Sequence, residues 1–181
     1  MGNFTYWLGQ AFGIFATLCC FAMPLFKKKW QMLVLTALGN LFFALNYIAI
    51  GEIRTGMILN IVAIVQVGIT FIHLKKNTDV SMAENIIFLF VNVGMALLLL
   101  ILKDGWAALN IKNWLEILPL IAAVFNTLAT FQRDEQKTRI LTLFNASTYF
   151  AYYAVLGMSS MFAELLAVVT CIIGMIRYRK K

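Results

Sequence analysis

The chain alternates between long apolar runs and short polar segments. Each run holds roughly 20 residues, and a helix of that length rises about 30 Å, enough to cross the hydrocarbon core of a bilayer. The patterning within the runs is helical rather than alternating, which favours a helix bundle over a barrel. The pattern predicts an all-α integral membrane protein with seven transmembrane helices: Trp7–Phe26, Trp30–Ile50, Thr55–Leu74, Met82–Leu102, Trp114–Phe131, Arg139–Leu156 and Ser160–Ile176.

Composition supports this class. Hydrophobic residues make up 62% of the chain, which leaves too few polar residues to cover a soluble domain. The net charge of +7 could suit nucleic acid, but the basic residues form short clusters that close the apolar runs. We therefore expect membrane lipids, anionic headgroups included, as partners rather than nucleic acid. The connections are short, so residues 1–181 should form a single membrane domain; homo-oligomerisation is left open.

The basic residues are distributed unequally between the two sides of the predicted bundle. Twelve of the fifteen Lys and Arg residues fall on one side, and only Arg54, Lys103 and Lys112 lie in the alternate loops. Positive charge is retained on the cytoplasmic side of short loops. The N-terminus should therefore lie outside and the C-terminus inside, in the inner (plasma) membrane if the source is a bacterium.

Cysteine accessibility checks this orientation. The three native cysteines lie within predicted spans at spacings unlike those of a metal site, and we expect free thiols. In a chain without them, an impermeant maleimide should label a cysteine at Asn3 from outside. A cysteine at Lys181 should react only after permeabilisation. The opposite pattern would contradict both the orientation and the number of spans.

The chain also contains an internal repeat. A shift of 105 residues aligns span two with span six, and a shift of 104 aligns span three with span seven. The identities include Leu38/Leu143, Asn40/Asn145, Tyr47/Tyr152, Met57/Met161, Ala63/Ala167 and Ile69/Ile173. The repeat predicts a 3+1+3 arrangement, with residues 7–74 and 114–176 as three-helix repeats and residues 82–102 as a linker helix. One intervening helix makes the repeats parallel, with an axis along the membrane normal.

Three segments carry a family resemblance. The residues TyrTrpLeuGlyGln at 6–10, GluIleLeuProLeuIle at 116–121 and the basic tail 176–181 resemble the YgjV family of bacterial inner-membrane proteins. The resemblance covers essentially the whole chain and implies a compact multispanning protein without implying a substrate. More distantly, the 3+1+3 layout is similar to the SWEET and PQ-loop transporters and to the PnuC-type vitamin transporters. Pro24 and Pro119 are both followed by Leu, so the Pro-Gln dipeptide is missing.

Polar residues inside the predicted spans are the candidates for a solute site, because each costs free energy in lipid. Three repeat-related pairs lie near the central levels, and Tyr side chains could stack on a ring or sugar face. The resemblance to SWEET-like proteins implies that Asn60 lies at a solute-contacting position, where Glu164 replaces the second Asn. The alternative is that the amides bond neighbouring helices and the aromatics only pack. The candidate substrate-binding residues are Asn40, Asn60, Gln66, Asn145, Tyr149, Tyr152 and Glu164.

Two functions remain open. A transporter would bind a small polar solute between the repeats and alternate access, either as a facilitator or coupled to protons through Glu164. A non-transporting scaffold or accessory protein would bind a partner or lipid. An enzyme is disfavoured, because His73 lies at the boundary opposite Glu164 and the cysteines lack a neighbouring base. With no Gly-rich phosphate loop or metal-ligand spacing in the sequence, we expect no nucleotide, cofactor or metal.

Overall fold

The computed structural model describes residues 3–49, 55–104, 117–155, 157 and 160–179. Within these ranges the chain forms α-helices and one short 3-10 turn, without a strand. The helices are α1 (Asn3–Ala22), α2 (Lys29–Ala49), α3 (Thr55–Lys76), α4 (Met82–Asp104), α5 (Ile117–Phe131), α6 (Glu135–Val155) and α7 (Ser160–Arg177); the turn Met23–Leu25 follows α1. The all-helical class predicted from the sequence is confirmed.

Each predicted span coincides with one helix, and the ends differ for local reasons. The helix α6 begins before the predicted Arg139, because the Asp134 carboxylate accepts bonds from the backbone N–H groups of Gln136 (2.8 Å) and Lys137 (3.0 Å). The end of span one forms the 3-10 turn, where Pro24 lacks a backbone donor. The predicted boundaries at Ile50, Trp114 and Leu156 lie outside the described residues.

Length and apolar composition make three stretches of the described helices able to cross a membrane: Phe4–Leu25, Lys29–Ala49 and Met57–Lys76. Two further apolar helices, Met82–Met95 and Leu118–Phe131, are shorter. Large apolar side chains are exposed along all the described helices, among them Ile14, Phe90 and Ile176. So extensive an apolar surface is typical of a lipid-facing protein. Membrane crossing by the other helices stays a prediction from the charge pattern.

Six of the helices form a ring in which each packs against two neighbours. The helix α2 packs along both α1 and α3, and α6 packs along both α5 and α7. Smaller contacts join α3 to α5 and α7 to α1, and α4 packs against α3 and α5. Six helices therefore form a closed circuit, to which α4 is added on one side.

Small residues allow the close approach of α1 and α2. A Cβ atom added at Gly39 would lie 3.3 Å from the Cys20 sulfur and 3.5 Å from the Ala16 carbonyl oxygen. A Cβ atom added at Gly13 would lie 3.0 Å from the side-chain nitrogen of Asn46. The Gly9–Gly13 pair has the GxxxG spacing that permits such packing, and the interface uses it in this way.

Candidate functional site

The basic clusters meet at one end of the bundle, which we call the basic end. It contains the C-terminal ends of α1, α3, α5 and α7 and the starts of α2 and α6. Arg133, between α5 and α6, donates to the side chain of Asn77 (2.8 Å) and to Asp79 (3.4 Å), just beyond α3. Tyr178, after α7, donates to the carbonyl oxygen of Leu25 (2.9 Å), after α1. These contacts connect segments that the charge pattern had placed on one side.

Lys29 is the first buried cation at the basic end. Only 4% of its surface is exposed, although Lys27 and Lys28 beside it are exposed. Its Nζ donates to the carbonyl oxygen of Ala129 and to the hydroxyl of Thr138, both at 2.9 Å. Lys29 therefore ties the start of α2 to the end of α5 and the start of α6.

Arg139 is the second buried cation, with 1% of its surface exposed. Its Nε donates to the carbonyl oxygen of Pro24 (2.9 Å) and its Nη2 to that of Phe26 (2.5 Å). Its guanidinium also lies 4.9 Å from the centre of the Tyr178 ring. Arg139 thus ties the start of α6 to the end of α1 and to the segment after α7.

The two cations make corresponding contacts. Lys29 lies at the start of α2, which packs on α1 and α3, and it reaches a carbonyl group at the end of α5. Arg139 lies near the start of α6, which packs on α5 and α7, and it reaches carbonyl groups just after the end of α1. Carbonyl groups at helix C-termini lack partners within the helix and carry partial negative charge. They compensate the buried cations, which cross-link the bundle at the basic end. In the sequence, both residues contribute only to the charge pattern that predicts topology, and nothing there predicts their burial.

The predicted residue Gln66 lies in a buried polar cluster between α3, α4 and α5. Its amide nitrogen donates to the carbonyl oxygen of Thr127 at 3.1 Å. The amide nitrogen of Asn92 donates to the Thr127 hydroxyl (3.0 Å) and to the Gln66 amide oxygen (3.4 Å). The amide of Gln66 thus bonds neighbouring helices, and its role in solute binding stays a prediction.

Asn40 and Asn145, the repeat-related pair at mid-depth, differ in their hydrogen bonds. The Asn40 amide donates to the carbonyl oxygen of Thr36 in its own helix, at 2.7 Å. The amide oxygen of Asn145 is buried and has no hydrogen-bond partner among the described residues. A buried acceptor without a partner costs about 1–3 kcal/mol. Asn145 is therefore a place where a bound polar group would stabilise the bundle.

Glu164 and a group of tyrosines come together toward the end of the bundle opposite the basic end. Glu164 is half-buried and lies seven residues before Cys171, so both occupy one face of α7. Its carboxylate lies within electrostatic range of Tyr149 and Tyr153 on α6. Tyr47 on α2 interacts with the same two tyrosines. We call the set of Glu164 and the four tyrosines the acid–tyrosine cluster. The tyrosines are Tyr47, Tyr149, Tyr152 and Tyr153.

The tyrosine rings of this cluster contact one another. Tyr149 and Tyr153 stack with their centroids 5.8 Å apart, and Tyr152 meets Tyr153 edge-on at 5.3 Å. Three predicted site residues, Tyr149, Tyr152 and Glu164, are thus neighbours in the structure. Asn60 is half-buried on α3, and no contact described here includes it.

A cavity of about 410 Å³ lies between α1 and α2 and is open at the surface of the bundle, where Ile14 and Leu18 are exposed. Its lining residues are Gln10, Gly13, Ile14, Thr17, Leu18, Phe43, Asn46 and Tyr47. Tyr47 therefore belongs to both the cavity wall and the acid–tyrosine cluster. Asn46, whose amide donates to the carbonyl oxygen of Gly9 at 2.6 Å, was missed by the sequence analysis. Two sequence features could have indicated Asn46: it is adjacent to Tyr47, and span one contains a GxxxG pair that permits close packing of a neighbouring helix.

The cavity at the basic end is much smaller. The cavity between α2, α5 and α6 measures about 30 Å³, and Lys29, Thr36 and Asn126 are among its lining residues. His73 lies near this end, with its ring nitrogens 2.9 Å from the Thr78 hydroxyl and 3.1 Å from Glu84. In the described part of the chain, no group of three or more His, Cys, Asp or Glu residues could hold a metal ion.

The comparisons with known proteins assign a family. No curated protein and no solved structure matches the chain. The model of the Imp-YgjV family, described as a bacterial inner membrane protein, matches residues 7–181. This match agrees with the apolar surface of the helices and confirms the resemblance seen in the sequence. The chain belongs to the Imp-YgjV family of bacterial inner membrane proteins.

Proposed function

We propose that this protein is a transporter for a small polar solute, which binds between two three-helix units and crosses the membrane by alternating access. The observation that carries the proposal is the acid–tyrosine cluster, whose member Tyr47 also lines a cavity of about 410 Å³. Ligand cavities of this size combine apolar walls with a few polar groups. An acid inside a membrane helix is costly and is most often functional.

The packing of the helices supports two equivalent units, residues 7–74 and 114–176, with residues 82–102 as a linker. Within each unit the middle helix packs on the first and third, and the contact of α3 with α5 has its counterpart in the contact of α7 with α1. The contacts of the two buried cations are also equivalent: Lys29 of the first unit bonds Ala129 of the second, and Arg139 of the second unit bonds Pro24 of the first. Because both contacts lie at the basic end, they favour units in parallel orientation.

The charge pattern gives the direction. With the basic end in the cytoplasm, the N-terminus lies outside, and the wide cavity, which reaches residues 43–47 near the outer end of α2, lies nearer the outer side of the inner membrane. The cations Lys29 and Arg139 close the inner side, where the interior is narrow. We propose that this arrangement corresponds to an outward-facing state, in which case transport requires that these cross-links break when the other side closes.

Uptake by a deletion strain carrying the wild-type chain or a variant tests this function, with the metabolite content of the cells as the readout. The wild type should raise the internal level of at least one small polar metabolite. Asn60→Leu should reduce that uptake at least tenfold, because a lost amide weakens binding of a polar solute more than it weakens an apolar bundle. Glu164→Gln should abolish any dependence of uptake on the proton gradient, since Gln cannot carry a proton.

The matched control is Asn85→Leu, the same change at an exposed amide that bonds Ser81 near the basic end. It should leave uptake unchanged. Unchanged uptake in both Asn60→Leu and Glu164→Gln would contradict the proposed mechanism. Recovery of a stable partner protein, together with no uptake by the wild type, would favour the scaffold alternative.

A further inference from the structure

We infer that the solute bound at the acid–tyrosine cluster is a small organic cation, such as an amine or quaternary ammonium compound. The inference rests on the proposed function and names the chemical class of its solute. It is carried by the sign of the charges and by the ring geometry around Glu164.

Glu164 is isolated from the other acidic side chains that the structure describes. Asp79, Glu84, Asp134 and Glu135 all lie at the basic end, where Glu84 pairs with His73 and Asp79 with Arg133. No cationic side chain among the described residues pairs with Glu164, and Lys29 and Arg139 are committed to carbonyl groups. A carboxylate in a membrane interior is expensive without a countercharge. A cationic solute would supply that charge.

The tyrosines add a second preference for a cation. The face of an aromatic ring carries negative potential, and ammonium groups bind over such faces. Tyr149, Tyr152 and Tyr153 form one stacked and one edge-on pair, and Tyr47 joins them from the opposite unit. Negative charge and ring faces without a cation repel an anion. A neutral solute would gain no compensation for the carboxylate.

The size of the cavity limits the solute. Tyr47 is the member of the cluster that lines the cavity of about 410 Å³, a volume near the lower end of the range for small-molecule sites that easily holds a compact ammonium compound. Choline is a suitable probe, because 3,3-dimethyl-1-butanol has the same shape without the charge. The anion 3,3-dimethylbutanoate completes the series.

Equilibrium dialysis with the purified full-length protein in nanodiscs tests the inference. Choline should bind at least tenfold more tightly than 3,3-dimethyl-1-butanol, and 3,3-dimethylbutanoate should not bind. Glu164→Gln should weaken choline binding about 10- to 100-fold, the range for a lost interaction with a charged group, and leave binding of the neutral alcohol unchanged. The control Glu84→Gln, at the basic end, should bind choline like the wild type.

The ring contribution is measured separately. Tyr153→Leu should weaken choline binding several-fold, whereas Tyr153→Phe, which keeps the ring face, should retain it. Thermal unfolding of each variant without ligand identifies any that fail to fold. If Glu164→Gln fails this check, the Tyr153 pair and the three wild-type affinities decide the question.

Three results would overturn the inference: equal affinity for choline and its neutral analogue, no choline binding at 10 mM, or tighter binding of the anion. Any of these leaves transport of another solute class intact. Choline bound through Glu164 by a protein that neither carries it into proteoliposomes nor raises any metabolite in the uptake test would support the cation site and refute the transporter. The two proposals can therefore fail separately.

Discussion

Replacing Gly174 with alanine should destabilise the protein by about 1–3 kcal/mol or prevent its folding, because the new methyl group has no room. A Cβ atom at this position would overlap the carbonyl oxygen of Pro24 and lie 3.1 Å from the Arg139 Nε. Neither neighbour can retreat easily, since the two are hydrogen-bonded to each other in a buried site. The thermal unfolding midpoint of the purified protein in detergent measures the effect.

Gly68→Ala is the matched control, since a Cβ atom at this position on α3 would meet nothing within 4 Å. Alanine is the better helix former, by about 1 kcal/mol in water. The midpoint of Gly68→Ala should therefore stay unchanged or rise. Equal midpoints for Gly174→Ala and Gly68→Ala would show that α7 does not approach the end of α1 as closely as described.

Much of the fold could be predicted because the apolar runs are long and the charges fall between them. A run such as Thr55–Leu74 has few other ways to satisfy its backbone in lipid, so helix positions follow from composition. Helix starts were less certain. The charged residues before Arg139 resembled a loop, yet the cap at Asp134 draws them into α6. The resulting extra turn at its start is a tertiary and capping effect.

The burial of individual charges could not be predicted. Lys27, Lys28 and Lys29 are three consecutive lysines that no sequence feature distinguishes. Only Lys29 donates a hydrogen bond to the carbonyl oxygen of Ala129. Which lysine turns inward depends on the rotation of α2 about its axis. That rotation is set by packing against other helices, and no local pattern encodes it.

The candidate site was predicted in part. Tyr149 and Tyr152 lie one turn apart and therefore come together locally on α6. The shift of 104 residues that aligns span three with span seven pairs Gln66 with Thr170, but an alignment identifies equivalent positions rather than contacts. In the structure Gln66 bonds Thr127, whereas Thr170 bonds the Ala167 carbonyl in its own helix.

Arg139→Met should open the basic end. The change removes the hydrogen bonds that the Arg139 guanidinium donates to the carbonyl groups of Pro24 and Phe26. A hydrogen bond that involves a charged group is worth about 1.5–3 kcal/mol. Loss of even one such bond shifts an equilibrium between closed and open states by roughly 10- to 100-fold. A cysteine at Thr36, in the narrow cavity of a chain without native cysteines, should then react faster with a thiol reagent applied from the basic end.

A second reporter separates an opening motion from general loosening of the bundle. A cysteine at Thr17, a half-buried residue that lines the wide cavity, should react more slowly in the Arg139→Met background, because alternating access closes one side as the other opens. Arg139→Lys keeps the charge but loses the two-nitrogen fork, so both rates should fall between those of the parent and of Arg139→Met. If both reporters instead react faster, Arg139 stabilises the fold without gating it, and the outward-facing assignment loses its main support.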